Sequence, residues 1–219
     1  MVRSKLERFN DNDKWECIVQ PGKPIYDNIK GRWNRSHFIN ENPIVLELGC
    51  GRGEYAIGLA KIFPDKNFIG VDIKGPRIWR GGKLVEEENL KNVSFLRTKI
   101  QNIENFFEMD EVDEIWITFP DPRPRGRDER RRLTHTRFLK IYQNIMKSSG
   151  WVHFKTDDLA LFEYSLEVVS NHENSQDIIY TNNLYKSEMV DEHYNIKTTY
   201  ERRYLNEGIP INYMKFRLV

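Results

Sequence analysis

Ile44-Val45-Leu46-Glu47-Leu48-Gly49-Cys50-Gly51-Arg52-Gly53 passes from a short buried-strand pattern into a turn with glycine at every second place. Helical spacing resumes at once over residues 54–63. A strand, a glycine turn and a helix in that order form the first unit of a sheet wound on both faces, where glycine lets backbone approach a ligand closely. Working outward, apolar runs bounded by turn residues recur at 68–73, 93–96, 114–119 and 151–154, and each reads as a buried strand. Residues 77–89 and 136–147 have helical spacing, and 103–107 suggests a shorter helix. Strands that alternate with helices predict a mainly parallel sheet with right-handed crossovers. A helix over 159–169 and strand-like stretches at 177–181 and 211–218 follow, with no convincing helix between the last two, and the final strand is expected to be antiparallel.

With 219 residues, 39% of them hydrophobic and 31% charged, the chain fits one globular domain with a sizeable core. Cys17 and Cys50 lie in unrelated contexts and suggest no disulfide framework, so a reducing cytoplasm is the expected location. Arg3, Lys5, Glu7 and Arg8 have no apolar run behind them, and nowhere do 18 apolar residues occur together, so neither export nor membrane insertion is expected. The five histidines show no metal spacing, and no metal is assigned. A net charge of +1 conceals a local excess. Between Asp121 and Arg137 seven arginines face three acids, and residues 1–40 carry eight Lys/Arg against five acids. That polarity suits a polyanionic partner. Residues 1–42, with Trp15, Tyr26 and Trp33, read as a weakly structured basic extension ahead of a main domain at 43–219.

Gly49 and Gly51 place backbone where a cofactor would lie, and Asp72 closes the second strand, where a carboxylate can accept both hydroxyls of a ribose. A tight corner and a solvated strand-end acid are the plainer readings of the two features. The spacing is not GxGxxG, and Glu47 precedes the turn on the strand itself, so no seat for a pyrophosphate is evident. An acid there suits a cationic ammonium or sulfonium end, which favours S-adenosylmethionine over NAD. An NAD-linked oxidoreductase stays open as the alternative that shares the turn.

The fourth strand runs into Phe119-Pro120-Asp121-Pro122-Arg123-Pro124-Arg125. Three prolines stiffen this loop and hold Asp121 in place, although Asp-Pro turns also occur without function. Arg127, Arg130, Arg131 and Arg132 follow as candidate phosphate contacts, because guanidinium forks match phosphate geometry; a solvated helix start is the rival reading. The fifth strand ends in His153-Phe154-Lys155-Thr156-Asp157, and Thr198-Thr199-Tyr200-Glu201-Arg202-Arg203 comes late in the chain.

Together these blocks, with Arg131-Arg132-Leu133-Thr134 and Phe138-Leu139, resemble the bacterial tRNA (guanine-N7)-methyltransferase family from about Pro43 onward. The resemblance implies a Rossmann-like class I methyltransferase, a three-layer α/β sandwich around a seven-stranded, mostly parallel sheet with an antiparallel last strand. It implies that S-adenosylmethionine is held by Glu47 and Asp72, that Asp121 is catalytic, and that Arg125, Asp157, Thr198, Tyr200 and Glu201 contact substrate. The implied substrate is the variable-loop guanine of tRNA; the basic charge of residues 1–42 lets them be expected to touch the same RNA, and a monomer or homodimer is expected. Two positions depart from the pattern. Arg123 stands where the family often has Trp, while Arg125 keeps the charge of the usual Lys. Lys99-Ile100 replaces the usual Asp or Asn at the adenine, so backbone amides are expected to serve there. These departures make an inactive RNA-binding module of the same fold a second alternative.

Overall fold

The computed structural model describes residues 4–219, and Arg3 lies outside them. Its centre is an eight-stranded sheet of β1 (Ile18–Val19), β2 (Ile44–Leu48), β3 (Asn67–Asp72), β4 (Val93–Arg97), β5 (Val112–Thr118), β6 (Met146–Thr156), β7 (Ser175–Thr181) and β8 (Asn212–Leu218). The order across the sheet is β1-β4-β3-β2-β5-β6-β8-β7. Every pairing from β1 to β6 is parallel, whereas β8 runs antiparallel to both β6 and β7. The expected seven strands are all present, and β1 is an eighth at the β4 edge.

Alternation along the strands makes the layers. On one face Leu46, Leu48, Ile69, Val71 and Ile117 join Phe138, Leu139, Leu161 and Phe162 of α4 (Thr136–Ile145) and α5 (Leu159–Ser170). On the other, Val45, Phe68, Phe95 and Trp116 pack with Tyr55, Ala56 and Leu59 of α2 (Glu54–Ile62) and Ile78 and Val85 of α3 (Gly75–Glu88). A period of two in the strands puts successive side chains into separate cores, so the sheet is buried on both faces.

Three regions differ from the sequence expectation. Residues 4–42 are structured: α1 (Lys5–Lys14) packs along α3, β1 extends the sheet, and Trp33 is fully buried with its indole N–H on the Phe106 carbonyl at 2.9 Å. The short helix expected at 103–107 is a 3-10 turn, Ile100–Asn105. A helix, α6 (Thr199–Asn206), lies between the last two strands where none was expected. Its one fully buried residue is a carboxylate, Glu201, and Tyr204 and Leu205 beside it are only half-buried, so its apolar spacing is too short to betray it.

Candidate active site

The glycine turn leaves β2 with Gly49, Gly51 and Gly53 at φ of 76°, 57° and 71°, a region that L side chains rarely adopt. A Cβ on Gly51 would meet nothing, which leaves backbone open to a ligand, whereas one on Gly53 would strike the Phe95 ring. Asp72 ends β3 nearly buried, with one oxygen accepting the Gly51 N–H at 3.0 Å and the other the Lys74 N–H at 2.8 Å. These bonds fix the carboxylate and leave it lone pairs for ribose hydroxyls. Beside it a cavity of about 210 Å³ is lined by Gly49, Asp72, Ile73, Thr98, Lys99 and Ile100. An acid for a diol, two isoleucines flanking a flat ring, and bare glycine backbone fit the nucleoside part of a sulfonium cofactor.

Glu47 does not line that cavity. It is buried behind the turn, accepting the Ala56 N–H at 2.9 Å and the Thr118 hydroxyl at 3.0 Å. Burial pushes its carboxyl up to about 7, and the two hydrogen bonds oppose that rise. Its visible work is to tie the start of α2 to the end of β5. Any bond to a cationic cofactor end would come in addition to these two.

The substrate side begins where β5 ends. Phe119 and Arg123 both sit at φ 50°, strained for residues of their size, on either side of Asp121. The Phe119 N–H is held by the Lys155 carbonyl at 2.9 Å. Asp121 is exposed over 62% of its side chain, pairs with the Arg123 guanidinium at 3.2 Å and accepts the Arg123 N–H at 3.3 Å. A rigid, strained loop thus presents an accessible carboxylate at the same sheet edge as the cofactor cavity.

Of the arginines, Arg125, Arg127 and Arg130 are exposed around the 3-10 turn Gly126–Arg131. Arg131 is exposed but bridges Asp128 at 2.9 Å. Arg132 differs from the rest: its guanidinium donates twice to the Arg123 carbonyl, at 3.2 and 3.3 Å, and lies 4.2 Å over the Tyr164 ring. It therefore braces the Asp121 loop.

Asp157, half-buried past the end of β6, has its carboxyl raised by burial and lowered again by the Tyr204 hydroxyl beside it. Tyr204 also faces Phe119, with ring centroids 6.0 Å apart, so α6 lies across the ends of β5 and β6. Thr198 is buried as the N-cap of α6, its hydroxyl accepting the Glu201 N–H at 3.1 Å, and Tyr200 is 58% exposed. Thr-x-x-Glu ordinarily signals a capping box in which the acid turns back to the cap. Here Glu201 points inward instead, fully buried, 2.7 Å from the Lys155 ammonium and 2.9 Å from the Tyr185 hydroxyl. Sequence reasoning passed over Lys155 and over Glu54, whose carboxylate accepts both the N–H and the hydroxyl of Thr199. The signal for Lys155 was a lysine inside a strand whose neighbours Val152 to Thr156 all read as buried.

With β1 set aside, the strand order, the reversed β8 between β6 and β7, and a glycine turn facing an acid on the next strand define a class I methyltransferase. A model of a family described as putative methyltransferases matches residues 41–214. The tRNA (guanine-N(7)-)-methyltransferase of Cytophaga hutchinsonii is 49% identical over 100% of this chain and 99% of its own length, and that of Christiangramia forsetii is 46% identical over 99% and 98%. The chain belongs to the tRNA (guanine-N(7)-)-methyltransferase family. Among solved structures, an antibiotic-related methyltransferase superposes with a TM-score of 0.58 at 18% identity, covering 83% of this chain and 90% of that one. An rRNA methylase from Streptococcus thermophilus gives 0.55 at 9% identity, over 81% and 87%. At these identities the likeness concerns the fold. Among the described residues no helix is long and apolar enough to cross a membrane.

Proposed function

We propose that this protein methylates N7 of a variable-loop guanine in tRNA, with Asp121 as the catalytic carboxylate. The observation that supports this best is the strained, proline-bound loop that holds an accessible Asp121 after β5, the strand paired with β2 and its glycine turn, and leads into exposed arginines. S-adenosylmethionine supplies an electrophilic methyl group on a sulfonium centre. Guanine N7 carries an unshared pair and no proton, so the chain needs no general base and contributes mainly position, an effect that can reach roughly 7 to 11 kcal/mol. Positive charge develops on the purine during transfer, and the Asp121 carboxylate stabilises it. Asp157, half-buried and reachable, accepts from the N1 and N2 donors of the guanine edge, while Tyr200 offers an exposed ring for stacking. Asp72, Gly49 and Gly51, with the backbone at Lys99 and Ile100, hold the nucleoside of the cofactor. Arg125, Arg127, Arg130 and Arg131 run along the RNA backbone. The base leaves its tertiary pairing to reach the site, at a cost of a few kcal/mol. The setting is the cytoplasm, and the basic residues of 4–42 touch the same RNA.

The test is transfer of a labelled methyl to unmodified tRNA and to the same tRNA carrying 7-deazaguanine in the variable loop. Label on the first alone is expected. Equal labelling of both would refute the N7 assignment.

A further inference from the structure

Lys155 and Glu201 are both completely buried, on β6 and α6, and their charged groups lie 2.7 Å apart. Two long polar side chains at 0% exposure need an explanation, because a buried ion pair repays little more than its own desolvation. An apolar pair of equal volume would hold the fold as well. The surroundings are specific. The Lys155 ammonium sits 5.0 Å from the Tyr55 ring and 5.8 Å from the Phe119 ring. Burial pushes the ammonium down, and the Glu201 carboxylate pulls it back up. Tyr185 donates to the same Glu201 oxygen, and the other oxygen has no hydrogen-bond partner among the described residues. His193, from the 3-10 turn Val190–His193, meets the Tyr185 ring at 4.9 Å with the two planes tilted by 57°.

Lys155 makes a second connection through its main chain. Its carbonyl accepts the Phe119 N–H at the point where the strained loop begins, two residues before Asp121. One residue thus grips the Asp121 loop with its backbone and the first turn of α6 with its side chain. The preceding residue, Phe154, packs into the core on the opposite face of the sheet.

We infer that Lys155 is a positioning residue which, through Glu201, sets the spacing between the Asp121 loop and residues 198–200, and so shapes the pocket for the substrate base. This rests on the proposed methyl transfer to tRNA. On this view Glu201 serves substrate by anchoring Thr198 and Tyr200 and makes no direct contact with the base. The pair acts on the substrate side alone, because the cofactor cavity has neither residue among its lining.

Four variants and one control test it: Lys155→Arg, Lys155→Met, Glu201→Gln, the double variant Lys155→Met/Glu201→Gln, and wild type, each measured for kcat/KM on tRNA, S-adenosylmethionine Kd and thermal midpoint. The Lys155→Met, Glu201→Gln and double variants are expected to lose about tenfold or more in kcat/KM, to nearly the same level, because the two residues act as one unit. Lys155→Arg keeps the charge at an altered length, so it should raise KM for tRNA while leaving the cofactor Kd within about threefold. Additive losses, or cofactor Kd and midpoint falling in step with kcat/KM, would mean the pair is merely structural and would overturn the inference. Wild type that transfers no methyl to tRNA would instead overturn the reading beneath it, an outcome visible in the control alone.

Discussion

Thr199 gives both its backbone N–H and its hydroxyl to the carboxylate of Glu54, at 2.7 and 2.5 Å. Glu54 is the first residue of α2, immediately after Gly53, and Thr199 is the first residue of α6. The turn that would hold the cofactor and the segment that would hold the base are therefore pinned together across 145 positions of chain.

Removing that pin should loosen the substrate side more than the cofactor side. Glu54→Ala is expected to lower kcat/KM for tRNA by about tenfold, the scale of one or two exposed hydrogen bonds to a charged group. S-adenosylmethionine affinity, read by calorimetry, should change by less than about threefold. A drop in cofactor affinity as large as the drop in kcat/KM would place Glu54 in the cofactor site and contradict the role as a tether.

The proposed transfer assigns the catalytic carboxylate to Asp121. Asp121→Ala is expected to cut methyl transfer by about 10² to 10³, the usual effect of removing one preorganised electrostatic group. Cofactor Kd should stay within a few fold, since Asp121 is absent from the cavity wall. Turnover at the wild-type rate would dismiss the carboxylate from the mechanism.

The central fold was legible because its signals are local. Leu46, Leu48, Ile69 and Val71 announce buried strands, and glycine at 49, 51 and 53 announces a turn that only positive φ can make. The candidate site could be proposed from sequence where an acid stands at a strand end, as Asp72, Asp121 and Asp157 do. What stayed hidden depends on distant partners. Lys155 looks like any strand lysine until Glu201, far along the chain, is folded against it. Helix α6 turns Glu201 inward beside the half-buried Tyr204 and Leu205 and is anchored by the Thr198 cap and two carboxylate contacts, so an acid stands where an apolar repeat would have revealed it. Residues 4–42 gain their order from elements that come later: Trp33 from Phe106 and Phe107, and Asn12 from the Gly75 carbonyl.

The arginines should separate into two kinds. Arg127→Ala with Arg130→Ala removes two exposed guanidiniums, so tRNA affinity should fall and its dependence on salt should flatten, by about 0.7 to 0.9 in slope for each phosphate no longer neutralised. Arg132→Ala removes the brace on the Arg123 carbonyl and the stack on Tyr164. It should lower kcat on bound tRNA and leave the salt slope nearly unchanged. Filter binding across a salt series measures the slopes and single-turnover transfer measures the rate. Identical slopes in all three proteins would remove the phosphate role from Arg127 and Arg130.

Glu47 ties stability to pH. Its carboxyl stands near 4.5 when solvated and is raised to about 7 in the folded protein by burial. Below about 4.5 it is protonated in both states and contributes nothing to the pH dependence. Between those values the folded state holds the proton and the unfolded state does not, so stability falls as pH rises, and above about 7 the full cost of a buried carboxylate is present. The difference is on the order of 3 kcal/mol. Glutamine at this place can still accept the Ala56 N–H and can donate to the Thr118 hydroxyl, keeping the contacts without the charge. Glu47→Gln is therefore expected to be as stable as wild type near pH 4.5, more stable at pH 8, and flatter in between by that amount. Denaturant titrations at a series of pH values give the comparison directly. Parallel curves for the two proteins would mean that Glu47 is ionised throughout, paired with a charge that the folded chain supplies.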